Sequence, residues 1–143
     1  MTYDESNLYH NTTVYSFIPN EAVKEDLLYW LGTFNSNLMW WFLKNTGNVL
    51  RGGYFRFKTN YIKPFPVKRI EFNNPVEKTL YSKMIYSVAT QLKSILNIST
   101  TRTPAERIAL QRQIDATDKQ IDQLVYQLYG LTAKEIKIVE ENR

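Results

Sequence analysis

Hydrophobic side chains in the second half of the chain recur at intervals of three and four residues, which is the spacing of one face of an α-helix. Over residues 74–97 they are Val76, Leu80, Met84, Val88, Leu92 and Ile95. Over residues 103–129 they are Leu110, Ile114, Thr117, Ile121, Leu124 and Leu128. The second set has the alternating spacing of a coiled-coil seam, and a threonine within it favours a short antiparallel hairpin over an open dimer interface. We therefore predict a long helical hairpin.

Capping residues mark where the helices of this half begin. Asn74, Thr103 and Thr132 each have a glutamate three residues later, which is the arrangement of a capping box. Gly130 tolerates positive φ and is placed to end the second long helix. The third cap predicts a short C-terminal helix.

Two stretches of the first half have the composition of strands. Residues 14–18 are rich in β-branched and aromatic side chains, and residues 49–58 alternate aromatic and basic side chains after a Gly-Gly pair. Between them, Asn20 is a candidate cap for a helix that extends to Phe34, and a second short helix is predicted over residues 38–44.

Prolines predict an extended connector over residues 60–67. Together these elements predict an α+β fold: a small, mostly antiparallel sheet with short helices, followed by a long antiparallel helical hairpin and a short C-terminal helix. We place the boundary near residue 70. Residues 1–70 would then be the C-terminal part of a target recognition domain, and residues 71–143 a docking or spacer region.

The composition argues against a catalytic site in these residues. There is no cysteine, the one histidine is His10, and no glycine-rich phosphate-binding motif occurs. Asp115, Asp118 and Asp122 share a helix face, but basic residues beside them indicate a solvated stripe rather than a metal site. We expect no catalytic residue, no metal site and no cofactor in this chain. The longest apolar run is also far too short to cross a membrane.

Positive charge is concentrated in one part of the chain. The net charge is +4, yet residues 27–70 contain no Asp or Glu. The cations of this stretch are Lys44, Arg51, Arg56, Lys58, Lys63, Lys68 and Arg69. Surfaces that serve solubility alone usually mix both signs, so this block indicates a surface that faces a polyanion.

The candidate DNA-binding residues are Arg51, Gly52, Gly53, Tyr54, Arg56, Lys58, Asn60 and Lys63. The arginines can bond a guanine edge, the asparagine an adenine edge, and the lysines can neutralise phosphates. The glycines let the backbone approach a phosphate, and the tyrosine can stack or hydrogen-bond there. The same residues also fit a structural hairpin whose arginines lie over aromatic rings and whose glycines form a turn. Composition alone favours neither reading.

Three stretches carry a family resemblance. They are Leu-Arg-Gly-Gly-Tyr-Phe-Arg-Phe at residues 50–57 followed by Tyr61-Ile62 and Pro-Phe-Pro-Val at residues 64–67, then residues 29–38 with the form Leu-Gly-x-x-Asn-Ser-x-Leu, and residues 121–132. The first two resemble the TaqI-like C-terminal specificity domain of adenine DNA methyltransferases. The third is similar to the ending of many type IIG restriction-modification polypeptides.

The resemblance implies a non-catalytic specificity fragment that positions a site-specific adenine-N6 DNA methyltransferase, with or without a fused endonuclease, on double-stranded DNA. It implies that the methyltransferase domain of the same polypeptide binds S-adenosylmethionine and that the protein is cytoplasmic in a prokaryote. Such domains begin with more β structure than residues 1–18 can supply, so we expect a C-terminal fragment.

A second hypothesis comes from the helices alone. The seam and the two long helices would make the chain a dimerisation or subunit-docking module, a homo-oligomer through its C-terminal helices with no direct role for DNA. A stable dimer that is indifferent to DNA would favour this second hypothesis.

Overall fold

The computed structural model describes residues 1–2, 4, 9, 15–49, 52–53, 55 and 58–141. This part of the chain forms six α-helices and no β-strand. The helices are α1 (Leu27–Asn35), α2 (Asn37–Thr46), α3 (Thr59–Ile62), α4 (Pro75–Thr100), α5 (Pro104–Tyr129) and α6 (Ala133–Glu141). The predicted α+β class is therefore wrong, because the described residues contain no antiparallel sheet.

Neither predicted strand is present among the described residues, and for the first strand the reason lies in the tertiary structure. Residues 15–18 have no regular secondary structure, and Val14 lies outside the described residues. Phe17 packs on helix α1 instead, with its ring centroid 6.0 Å from that of Trp30. Of the second predicted strand, residues 50–51, 54 and 56–57 lie outside the described residues, and the others form one isolated antiparallel bridge between Val49 and Phe55. Strand propensity reflects the fit of a side chain to a half-buried pleated surface, and the surface offered to Phe17 is helical.

Two element boundaries also differ from the prediction. Helix α1 starts after Asp26, whose side chain accepts a hydrogen bond from the Leu28 N–H at 2.8 Å, whereas Asn20 caps only an isolated turn. The segment predicted as an extended connector over residues 60–67 instead begins within the helical turn α3. This helix ends at its C-cap Lys63, directly before Pro64.

The long helices are predicted correctly because their signals are local. The Asn74 side chain caps α4, Gly130 ends α5 with φ of 66°, and Thr132 forms a capping box with Glu135 at the start of α6. Helices α4 and α5 pack against each other as a hairpin. The later seam residues of α5 are buried within this chain: Thr117, Ile121, Leu124 and Leu128.

One hydrophobic core joins the two predicted regions of the chain. It contains Trp30 and Phe34 of α1, Val88 of α4 and Val125 of α5. Helix α1 approaches α4 closely at Gly32, where an added Cβ would lie 2.8 Å from the Cγ2 atom of Val88. Only a residue without a side chain fits this contact, so Gly32 sets the distance between the two helices.

A buried carboxylate holds the start of α2. Asp122 of α5 is 6% exposed, and it accepts hydrogen bonds from the backbone N–H and the side-chain amide of Asn37, both at 2.7 Å. Asp118 is half-buried and accepts a bond from Gln91, whereas Asp115 is exposed. The interpretation of the three aspartates as a solvated stripe is therefore wrong for Asp122. In the described residues, no group of acidic or histidine side chains could hold a metal ion.

The segment that enters α4 is fixed by two tyrosines. The Tyr29 hydroxyl donates to the Lys68 carbonyl at 2.7 Å, and the Lys68 N–H donates to the Tyr129 hydroxyl at 3.1 Å. Burial raises the pKa of both hydroxyls, which keeps them protonated at neutral pH. The end of the first region is thus bonded to both α1 and α5.

Replacing Gly32 with alanine should destabilise the fold by about 1 to 3 kcal/mol, because the new methyl group overpacks the contact with a stiff β-branched side chain. Urea unfolding measures the change. The double variant Gly32→Ala with Val88→Ala should lose less than the sum of the two single variants. Wild-type stability of the Gly32→Ala variant would contradict the close contact.

Asp122→Ala should lower the free energy of unfolding by about 2 kcal/mol, because two N–H donors of the half-buried Asn37 lose a buried, charged acceptor. The matched control is Asp115→Ala, an exposed aspartate of the same helix, which should change stability by less than about 0.5 kcal/mol. Equal losses in both variants would show that Asp122 does not hold α2.

Candidate nucleic-acid interface

A tight turn at two glycines is the first part of the candidate site. Gly52 and Gly53 are exposed and have φ of 91° and 80°, a region that residues with a side chain rarely adopt. The bridge between Val49 and Phe55 closes this turn. An added Cβ at Gly53 would meet no atom within 4 Å, so the backbone conformation, and not crowding, requires glycine there.

Helix α2 supports the turn through an aromatic contact. The rings of Trp40 and Phe55 meet edge to face with centroids 5.4 Å apart. The Lys44 ammonium lies 5.5 Å from the centroid of the Trp40 ring on the same side of α2. This places one cation of the basic block beside the turn.

Helix α3 is the second part of the site. Lys58 precedes it and Lys63 follows it, and the N–H groups of Ile62 and Lys63 bond to the carbonyls of Lys58 and Thr59. Asn60 and Lys63 are exposed, and Lys58 is half-buried. The single turn of helix therefore brings three of the predicted residues to one short segment.

Phe65 anchors this short helix. It is buried, and its ring centroid lies 5.2 Å from that of Phe42 on α2 and 5.9 Å from that of Tyr129 on α5. The flanking prolines, Pro64 and Pro66, are exposed. Both parts of the site thus rest on α2. The glycine turn contacts α2 through Trp40, and the segment of α3 contacts it through Phe42.

Five of the eight predicted residues are described: Gly52, Gly53, Lys58, Asn60 and Lys63. The other three, Arg51, Tyr54 and Arg56, lie outside the described residues. The structure attaches the five to neighbouring parts of one helix, and their role in DNA binding stays a prediction. Sequence reasoning omitted Trp40 and Lys44 from the site, although their spacing of four residues puts them on the same helix face.

Among the described cations of the basic block, Lys68 and Arg69 form ion pairs with acidic side chains. The Lys68 ammonium lies 2.8 Å from the Glu77 carboxylate, and the Arg69 guanidinium lies 2.9 Å from that of Glu25. Arg69 also donates to the carbonyl of Ala22. These contacts join the end of the acid-free stretch to the segments before and after it. The number of cations available on the outer surface is therefore smaller than the charge count predicts. In the described part of the chain, neither Lys58 nor Lys63 has an acidic partner within ion-pair distance.

Glu25 is a buried carboxylate held in its charged form. Burial by itself raises the pKa of Glu25, but the hydrogen bond from Arg69, the backbone N–H of Ile70 at 3.0 Å and the Arg69 charge together bring that pKa below its ordinary value. Arg69 therefore has a structural role.

A comparison with protein families bears on this surface. The profile described as the TaqI-like C-terminal specificity domain matches residues 1–67. The match covers slightly less than half of the chain, and this part is similar to the TaqI-like specificity family. All eight candidate DNA-binding residues lie within residues 1–67, the part of the chain that the family profile matches. No curated protein and no solved structure matches the chain significantly.

The TaqI-like specificity domain points to DNA target recognition in restriction-modification enzymes, and to a part of such an enzyme that does not carry out the chemistry. Within the described residues, no helix combines the length and the apolar character that a membrane span requires. The helical hairpin lies outside the matched region, yet its α5 helix holds the TaqI-like segment through Asp122.

The ion pair of Glu25 predicts a specific dependence of stability on pH. Because the pKa of Glu25 is lower in the folded chain than in the unfolded one, the carboxylate stabilises the fold above a pH of about 4.3. This contribution is lost as the pH falls through the folded-state pKa. The free energy of unfolding should therefore fall more steeply below about pH 5 for the wild type than for Glu25→Gln.

Chemical unfolding at a series of pH values measures this difference. Glu21→Gln removes an exposed glutamate of the same segment and should follow the wild-type curve. A Glu25→Gln curve parallel to that of the wild type would contradict the stabilising pair with Arg69.

Proposed function

We propose that this chain is the target recognition part of a restriction-modification enzyme, and that it positions a site-specific adenine-N6 DNA methyltransferase on its recognition sequence. The observation that carries the proposal is the family match over residues 1–67. This region contains an exposed glycine turn and the two lysines that flank α3, and both rest on helix α2. In this proposal the partner is double-stranded DNA.

Each part of the surface has a chemical role in the proposal. Lys58 and Lys63 neutralise phosphates, since they are cations without an acidic partner among the described residues. Asn60 is exposed and has the paired donor and acceptor that match an adenine edge. Arg51 and Arg56 read guanine edges, and the backbone at the glycine turn approaches a phosphate while Tyr54 stacks or bonds beside it.

The chemistry of methyl transfer belongs, in the proposal, to a methyltransferase domain of the same polypeptide, which binds S-adenosylmethionine and flips the target adenine. A fused endonuclease is compatible with this arrangement, and the cytoplasm of a prokaryote is its expected location. The contribution of the present chain is to orient the duplex.

The packing of α5 gives less support to the alternative of a dimerisation module. The seam residues Ile121, Leu124 and Leu128 are buried against helices of the same chain, so this part of the seam offers no free surface to a second copy. A dimer would have to use residues other than these three.

The double variant Lys58→Gln with Lys63→Gln should bind duplex DNA with a weaker salt dependence. If both lysines contact phosphates, the slope of log affinity against log salt should become less negative by about 1.8, because each phosphate contact contributes about 0.9. Fluorescence anisotropy of a labelled duplex over a range of salt concentrations measures the slope.

The matched control uses another lysine of the same acid-free stretch. Lys68→Gln removes one charge that is paired with Glu77, so its slope should remain close to that of the wild type, whereas Lys63→Gln alone should change the slope by about 0.9. Equal slopes for the wild type and the double variant would remove the proposed phosphate contacts.

A further inference from the structure

A second acid-free stretch lies on helix α4. Residues 78–105 contain no Asp or Glu, and their cations are Lys78, Lys83, Lys93 and Arg102. The partner helix of the hairpin is different, because on α5 the basic residues Arg107, Arg112 and Lys119 are interspersed with Glu106, Asp115 and Asp118. Solvated helix faces usually mix both signs, as α5 does. The charge of α4 therefore requires a separate explanation.

The three lysines of α4 share the outer side of the helix. At 3.6 residues per turn, Lys78, Lys83 and Lys93 fall within an arc of about 140°, opposite the buried Met84 and Val88. All three are exposed, and Tyr86, which is 74% exposed, lies within the same arc. With a rise of 1.5 Å per residue, this lysine face is about 22 Å long.

Within the described part of the chain, no carboxylate neutralises the lysine face. No ion pair there includes Lys78, Lys83 or Lys93. The nearest acid in the sequence, Glu77, is bound by the Lys68 ammonium and by the backbone N–H of Glu71. The face therefore presents three positive charges along a line.

We propose that the lysine face of α4 binds the phosphate backbone of duplex DNA outside the recognition sequence. The inference rests on the proposed function and extends it from the reading of a target to the holding of its flank. Duplex DNA carries one phosphate per strand every 3.4 Å or so, so the face matches the length of about six base pairs. Lysines act as flexible point charges, which suits backbone contacts that carry no sequence information.

The apolar content of the face argues against a protein partner. Its large exposed hydrophobic residues are Tyr86 and Leu96, which are ten residues apart and therefore about 15 Å apart along the helix. Docking of a helix in a groove requires anchors at spacings of three and four, and the face lacks such a continuous strip. Its charge is complementary to a polyanion.

The test replaces Lys78, Lys83 and Lys93 together with glutamine in the full chain. On a duplex of about 30 base pairs, the slope of log affinity against log salt should become less negative by about 2.7, whereas a duplex of about 12 base pairs should show a much smaller change. The charge-matched control replaces Lys119, Lys134 and Lys137, exposed lysines on α5 and α6 with acidic residues nearby. Its slope should stay closer to that of the wild type on both duplexes.

Failure of this inference is separable from failure of the proposed function. If the triple variant keeps the wild-type slope on the long duplex while the variant of Lys58 and Lys63 does not, the lysine face has no DNA role and the recognition surface stands. If sedimentation shows a wild-type dimer that the triple variant loses, a second copy covers the face and the inference is wrong. If the wild-type chain binds neither duplex, both proposals fail.

Discussion

The position of the candidate interface depends on one buried carboxylate. Asp122 of α5 holds both the backbone and the side chain of Asn37 at the start of α2. Helix α2 in turn supports the glycine turn through Trp40 and the short helix α3 through the contact of Phe42 with Phe65. An interaction between residues 85 positions apart in sequence therefore determines where the basic side chains are presented. For this reason the hairpin is more than a spacer, and the TaqI-like segment and the helices after it share one core.

Charge alone overstated the size of the interface. The acid-free stretch of residues 27–70 contains seven cations, but Lys68 and Arg69 form ion pairs with Glu77 and Glu25, which lie just outside it in sequence. Counting charges along the sequence does not detect such pairs, because acidic residues from outside an acid-free stretch can lie next to it in the folded chain. Among the described residues, Lys58 and Lys63 beside α3 and the lysines on the outer side of α4 take part in no such ion pair.

The parts of the fold that were predicted correctly are those specified by local signals. Asn74, Gly130 and Thr132 mark helix ends by their own hydrogen bonds or backbone angles, so each could be read without knowledge of the tertiary structure. The strand predicted around Phe17 was wrong because this residue packs on α1, a choice that sequence pattern does not reveal, and the described residues around Phe55 form one isolated bridge. The burial of Asp122 was missed for the same reason. The grouping of Lys58, Asn60 and Lys63 follows from their closeness in sequence.

The motif of residues 29–38 and the candidate DNA-binding residues are placed differently in this structure. Gly32 and Asn37, from the motif of residues 29–38, make contacts that hold α1 to α4 and α2 to α5. Asn60 and Lys63 are exposed, and no hydrogen bond of their side chains is found within the described residues. Substitution at the exposed positions changes the surface without changing a core contact, whereas substitution at the buried positions moves the helices on which the surface rests. Among the described residues, the exposed candidates are thus separate from the residues that hold the helices, a separation that would allow a binding surface to change its sequence preference while its scaffold remains intact.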